Sequence, residues 1–312
     1  MNHPHIPILL PEILSLLSIK ANDTIIDATL GYGGHSQAFL NILSEKGFLF
    51  GIDRDIEAIE YSKIRLKNHQ NKSLIQAKYS EIPSLISKHK IHPATILFVD
   101  LGISSYQIDT PKRGFSFLEK NPLDMRMNQK QDKITAQHIL ETACKDTLHQ
   151  IFYNYAEIKK TDRLVQTIIN YRKTNRFNQS DDLKNCIKKS FYFNNNRNRF
   201  LKCCAQVFQA LRIEVNQELE ELNTLLNNCT KILKPNAKVA FLSFHSLEDR
   251  MIKHYFKKEP SFKAINKKVI QANQEEIKKN SRSKSAKLRV YQYQKTNDEI
   301  DHSKNLNPSQ IS

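Results

Sequence analysis

Between Asp23 and Asp100, short apolar runs recur, most of them closing on an aspartate, with helical stretches between them. This rhythm constrains the fold most, because strands buried on both faces read as unbroken apolar runs and parallel neighbours need a helical crossover. Thr24–Asp27 is the first expected strand and Phe48–Asp53 the second, joined by a glycine-rich turn, a helix over about 37–44 and Gly47. Residues 73–77 supply a third strand and 96–100 a fourth. The pattern predicts an α/β fold with a mostly parallel sheet wound by βαβ crossovers.

Beyond Asp100 the strand rhythm stops. Residues 117–200 read as short helices separated by polar turns such as Asn194-Asn195-Asn196-Arg197, which suggests an insertion. A long amphipathic helix follows, with Phe208, Leu211, Val215, Leu219, Leu222 and Leu226 on one stripe and an end marked by Lys234-Pro235-Asn236. Val239–Phe244 is another buried strand, so the α/β domain is discontinuous in sequence. The expected organisation is 1–116 and 201–295 for the α/β domain, 117–200 for the insertion and 296–312 for a disordered tail.

Lys and Arg total 48 against 32 Asp and Glu, a net charge of +16, and a polyanionic partner follows naturally from that balance. Lys257 to Lys295 alone holds twelve Lys or Arg against three Glu, with Tyr291 and Tyr293 nearby. Such a segment suits a phosphate backbone, although a solvated helix and tail has the same composition. The five cysteines fall in no framework spacing, and no apolar run reaches the ~18 residues a bilayer needs, so a reducing, cytoplasmic setting without membrane insertion is expected. His3, His5, Asp53 and Asp55 form no metal-ligand spacing, and no metal is expected.

The loop Asp27-Ala28-Thr29-Leu30-Gly31-Tyr32-Gly33-Gly34-His35-Ser36 lies between a strand and a helix, where glycines admit a ligand close to the backbone. Asp53 ends the second strand, at the distance where a carboxylate reaches the ribose hydroxyls of an adenosine cofactor. An NAD site uses the same parts, but it wants a third glycine where Ser36 stands. S-adenosylmethionine has no pyrophosphate and makes no such demand.

Asp100-Leu101-Gly102-Ile103-Ser104-Ser105-Tyr106-Gln107 follows the fourth strand, at the sheet edge where open α/β folds place their reaction centres. An amine conjugated to a ring needs an acceptor on its N–H before it can attack a methyl group, and that acceptor can then take the proton. Asp100 is the candidate carboxylate, with Ser104 and Ser105 as lesser candidates and Tyr106 as a stacking wall for an extruded base. Asp100 could equally serve the cofactor.

His5 to Leu10, Thr29 to Ser36, Asp100 to Gln107, Arg113 to Phe117, Leu123 to Met127, Phe208 to Asn216, Ser243 to Arg250 and Ser283 to Arg289 resemble, in order, the signature blocks of the bacterial MraW family of 16S ribosomal RNA cytosine-N4 methyltransferases. The resemblance implies a class I, Rossmann-like methyltransferase with a helical insertion that helps hold RNA. It implies S-adenosylmethionine contacts from Gly33, Gly34, His35, Asp53, Tyr79, Asp100 and Gln107, Tyr79 standing where the family usually has Phe. It also implies a decoding-centre cytidine of the small ribosomal subunit as substrate. Cys203-Cys204-Ala205 and Tyr155-Ala156-Glu157-Ile158 depart from the family's usual stretches.

His245 has two readings, a capping residue after a buried strand or part of the active-site wall. Arg113 and Arg126 are candidate phosphate contacts, with pairing to Asp109 or Asp124 as the alternative, and Lys284, Lys287 and Arg289 are the candidate RNA contacts of the basic segment. An NAD-dependent oxidoreductase and a non-catalytic RNA-binding ribosome-assembly factor are the rival functions. Homodimer formation is left open.

Overall fold

The computed structural model describes residues 7–89 and 91–294. His3, His5 and the tail expected over 296–312 lie outside the described residues.

In chain order, α1 (Leu10–Leu17), β1 (Thr24–Asp27), α2 (Gly34–Leu40), β2 (Phe48–Asp53), α3 (Ile56–Arg65), β3 (Lys72–Gln76), α4 (Ile82–Lys88) and β4 (Ala94–Asp100) realise the expected alternation. The helix after the glycine turn starts earlier than expected, at Gly34. Six helices follow: α5 (Ser105–Asp109), α6 (Ala136–Thr142), α7 (Lys145–Tyr155), α8 (Asp162–Tyr171), α9 (Ser180–Ser190) and α10 (Arg197–Asn216). The chain returns through α11 (Glu218–Asn228), β5 (Leu233–Ser243), α12 (Ser246–Lys258), β6 (Phe262–Ala264), α13 (Gln274–Lys279) and β7 (Lys287–Tyr293).

The sheet runs β3-β2-β1-β4-β5-β7-β6; β1 to β5 are parallel, and β7 is antiparallel to both β5 and β6. Strand order reverses between β1 and β4, the switch point at which open α/β sheets bind ligands. Asp27 pairs with Gly51 on one side and Phe98 on the other, so Asp53 and Asp100 project beyond it at the same carboxyl edge.

Alternation along the strands divides the core in two. Ile26, Phe50, Leu97, Val239 and Phe241 bury against α4, α11 and α12 through Ile82, Leu226 and Phe256. Ile25, Leu49, Phe98, Ala240 and Leu288 bury against α1, α2 and α3 through Ile13, Phe39 and Ile59. Each fully buried Leu, Ile or Phe contributes roughly 1.5–3 kcal/mol. Helix ends are set locally: Asp55 Oδ1 accepts from Glu57 N at 3.0 Å and Asn196 Oδ1 from Arg199 N at 3.0 Å, caps worth about 1 kcal/mol each.

Two compact units emerge, residues 1–102 with 221–312 and residues 103–220. The helical unit is wider at both ends than the 117–200 expected from sequence. Its core joins Phe115 and Leu123 to Phe152, Leu164, Ile187, Val207, Phe208 and Leu211, so α10 belongs to it. The single long helix expected through Leu226 is broken at Gln217, which takes a left-handed conformation (φ 52°). Phe208, Leu211 and Val215 of its stripe serve the helical core, whereas Leu222 and Leu226 serve the sheet.

The segment after Lys257 is no solvated tail within the described residues, since β6, α13 and β7 occupy it. Pro235 and Asn236, expected to mark a helix end, lie inside β5 where its register with β4 shifts. A proline without an N–H is accommodated at such an irregularity.

Candidate functional site

The glycine loop is strapped to the ends of three strands. Ala28 N donates to Phe98 O at 2.9 Å, Leu30 N to Ile52 O at 2.8 Å and Gly31 N to Asp53 Oδ2 at 2.8 Å. Gly33 has φ 72°, and a Cβ there would stand 3.0 Å from Ser62 Oγ, so glycine is required by backbone and packing alike. Ser62 Oγ in turn donates to Gly31 O at 2.9 Å.

Asp27 is buried beneath the loop and accepts from Ser36 Oγ at 2.5 Å and Thr29 N at 3.2 Å. Burial pushes its carboxyl up to about 7 against the pull of those two bonds, and the charge of Asp53 adds to the rise. Asp53 also accepts from Asp55 N at 2.8 Å, and burial raises it to about 6. The Gly31 N–H is therefore engaged by Asp53 and the Gly33 N–H by Leu30 O at 2.9 Å. Neither is turned outward to a ligand.

Asp100 is held by its own N–H, which donates to Thr29 Oγ1 at 2.5 Å. Its Oδ2 lies 3.7 Å from His35 Nδ1. His35 is buried beside Phe98, and its Nε2 donates to Ile8 O at 3.0 Å; the carbonyl can only accept, which assigns that nitrogen its hydrogen. The Asp100 Oδ1 is buried and has no hydrogen-bond partner among the described residues. Burial, then the charges of Asp27 and Glu248, raise the Asp100 carboxyl well above the usual carboxylate range. Tyr79 opens the short turn after β3, half-buried against the sheet core.

The loop around Gly33, the β2 acid and the β4 acid thus converge at one edge, as expected. Asp27 and Thr29 were missing from the candidate residues. Asp27 repeats the strand-ending aspartate seen at positions 53 and 100, and that repetition was the available signal; nothing in the sequence announces that the Thr29 hydroxyl reaches Asp100.

His245 is the cap of α12. Its Nδ1 accepts from Glu248 N at 3.4 Å, and buried Glu248 returns Oε2 to Phe244 N at 2.9 Å. The capping reading of His245 is thus present in the structure, the ring ordering the helix start through Nδ1, while its Nε2 lies 3.0 Å from Glu248 Oε1. Arg289 forms a two-bond pair with Asp249, Nε to Oδ1 at 2.7 Å and Nη2 to Oδ2 at 3.3 Å, and Lys287 Nζ lies 3.5 Å from Asp249 Oδ2. Burial pushes Asp249 up, but these cations more than offset it and hold the acid below its ordinary range. Arg289 and Lys287 are thus paired with Asp249, whereas Lys284 is exposed.

In the helical unit Ser104 and Gln107 cap each other, Ser104 Oγ accepting from Gln107 N at 3.2 Å and Gln107 Oε1 from Ser104 N at 3.0 Å. This box uses the Ser104 hydroxyl as an acceptor and the Gln107 side-chain oxygen, two groups expected to serve catalysis and cofactor. Tyr106 stays exposed, as a stacking ring would be. Arg113 is 2% exposed and donates Nη2 to Met127 O at 2.7 Å, so it does not reach a phosphate. Arg126 grips Asp124 with Nε to Oδ1 at 2.8 Å and Nη2 to Oδ2 at 2.7 Å, and donates to Asp132 O at 2.8 Å. Both arginines organise the Leu123–Met127 loop, together with Asn216, which bonds Met125 O and Met127 N at 2.8 Å each.

The family model of the MraW methylase family matches residues 2–294. A ribosomal RNA small subunit methyltransferase H of Clostridium botulinum (strain Loch Maree / Type A3) is 37% identical over 308 residues, covering 93% of this chain and 99% of that protein. One of the same name from Aster yellows witches'-broom phytoplasma is 41% identical over 305 residues, covering 93% and 97%. An rRNA methylase structure from Streptococcus thermophilus aligns with a TM-score of 0.42 at 11% identity, covering 95% of this chain and 99% of that one, a likeness too loose to add to the strand order. With a sheet of the expected class, a donor-type loop at its switch point and a family match running nearly end to end, the chain belongs to the MraW methylase family.

Proposed function

We propose that this chain transfers a methyl group from S-adenosylmethionine to the exocyclic N4 amine of a decoding-centre cytidine in small-subunit (16S) ribosomal RNA. Family membership makes it a methyltransferase, and relatives named for the small-subunit ribosomal RNA support the substrate. The observation that carries the chemistry is Asp100, whose buried Oδ1 has no hydrogen-bond partner among the described residues at the carboxyl edge of β4. A buried acceptor without a partner calls for a donor, and an amine N–H is one.

Asp53 and Asp100 stand at the same carboxyl edge, and a cationic sulfonium or ammonium bound there would favour their charged forms. Gly33, Gly34, His35 and Tyr79 would line the donor, and Asp53 would take its ribose hydroxyls. When bound, S-adenosylmethionine supplies an electrophilic methyl carbon. The N4 lone pair of cytosine is delocalised into its ring; Asp100, accepting from the N4 hydrogen, would turn that pair toward the methyl group and receive the proton as the new bond forms. The raised affinity of Asp100 for a proton suits the second task.

The helical unit and the exposed Lys284 are assigned to RNA contact, with the small subunit as setting and the cytoplasm as location. No helix among the described residues is long and apolar enough to cross a membrane. Small subunits from cells lacking this protein, incubated with labelled S-adenosylmethionine and the pure chain, should yield labelled N4-methylcytidine on digestion. Label on another base, or none, would overturn the reading.

A further inference from the structure

Between α9 and α10 the helical unit carries a cavity of about 430 Å³ lined by aromatic rings and amides. Phe191, Phe193 and Phe200 are among its lining residues; the Phe193 and Phe200 rings stand 5.3 Å apart edge to face, and all three pack against the helical core. Tyr192 lines the same cavity and is 88% exposed. Three neighbouring rings pack inward here while the fourth keeps its face in water, its hydroxyl donating to Asn194 Oδ1 at 3.4 Å.

The loop is shaped as well as apolar. Asn194 and Asn195 both take left-handed conformations, at φ 48° and 55°, and Asn196 N donates to Phe193 O at 2.8 Å to close the turn. Asn196 spends its side chain on capping α10, whereas Asn195 is exposed at the cavity. Lys188 and Arg197 line the same cavity. From Leu183 to Ile213 the chain has seven Lys or Arg and no Asp or Glu. An exposed ring among cations, with amides beside it and no acid in the surrounding sequence, fits a stacked base whose flanking phosphates meet the cations. A protein partner would need a wider apolar patch than one tyrosine offers.

We infer that this cavity binds an unpaired nucleobase of RNA, stacked on Tyr192 and held through its flanking phosphates by Lys188 and Arg197. The inference rests on the reading that the chain's substrate is RNA, and it adds a second point of grip on single-stranded RNA besides the base that receives the methyl group. Stacking explains the ring's exposure, because a ring must stay accessible to take a base.

The test uses the full chain and a fluorescein-labelled single-stranded oligouridine of about ten nucleotides, read by anisotropy. Tyr192→Ala should weaken binding by roughly 5- to 100-fold, and Tyr192→Phe, which keeps the stacking face, should restore it to within about twofold. The double variant Lys188→Glu with Arg197→Glu should weaken binding and lower the slope of log affinity against log salt by about 1.4. Unaltered thermal unfolding of Tyr192→Ala shows that the fold is intact, as expected for so exposed a side chain. Wild-type affinity in Tyr192→Ala, or equal loss in the Ala and Phe variants, overturns the inference. So does a Tyr192→Ala variant that binds the oligonucleotide normally but intact small subunits weakly, since the cavity would then take a protein. If oligouridine binding depends on Tyr192 while no methyl group reaches RNA, the cavity stands and the proposed reaction fails; methyl transfer with a Tyr192-independent KM for RNA means the reverse.

Discussion

The Gly31 N–H donates to Asp53 Oδ2 at 2.8 Å, so the carboxylate at the end of β2 holds the glycine loop that begins at the end of β1. Asp53 thus shapes the glycine loop, in addition to the ribose contact proposed for it. Asp53→Ala removes the acceptor of both Gly31 N and Asp55 N. S-adenosylmethionine affinity by calorimetry should fall about 10- to 100-fold, with a smaller loss in Asp53→Asn, which keeps one oxygen.

Asp100 must be deprotonated to accept from an amine. Because its carboxyl is raised well above the usual range, methyl transfer should climb with pH through that raised value and then level off. Asp100→Asn should lower kcat by about 100-fold or more and abolish this acidic limb. An unchanged profile in the variant would assign the limb to another group.

Asp27 and Asp53 bind protons more tightly in the folded chain, at about 7 and about 6, than at their ordinary value of 3.8. Their stabilising contribution is full below that ordinary value and is lost as pH rises through the folded values. The melting temperature should therefore decline between about pH 4 and pH 7 from these groups, and Asp27→Asn, which stays neutral, should flatten the decline. Calorimetric scans across that window check it.

Arg113 is buried with its guanidinium on the Met127 carbonyl. Arg113→Ala should cost about 2–4 kcal/mol by leaving buried acceptors unpaired, while leaving the salt dependence of RNA binding as it was. Lys284→Ala should do the opposite, with normal unfolding and a salt slope smaller by about 0.7–0.9. Denaturant melts and anisotropy at several salt concentrations separate the two.

At Gln217 the left-handed backbone interrupts what reads as one helix. Gln217→Val should destabilise the chain by about 1–2 kcal/mol, because a β-branched residue resists that conformation. Gln217→Gly should be neutral or mildly stabilising, and urea titration of both variants distinguishes local strain from lost contacts.

The residues alone were enough to read β1, β2 and β4, the glycine loop and the acids at positions 53 and 100. Each rests on a local pattern, apolar runs of strand length and turn chemistry, that survives whatever the rest of the chain does. The family resemblance added the reaction, since eight ordered blocks carry more information than any one of them. Only the tertiary structure placed β7 within the sheet, divided one helical stripe between two cores at Gln217, and spent Arg113, Arg126 and Arg289 on internal partners. A charged side chain reads the same in sequence whether it meets water, phosphate or a carboxylate forty residues away, as Arg289 meets Asp249. Its partner is chosen by long-range packing, and that information does not reside in any local pattern.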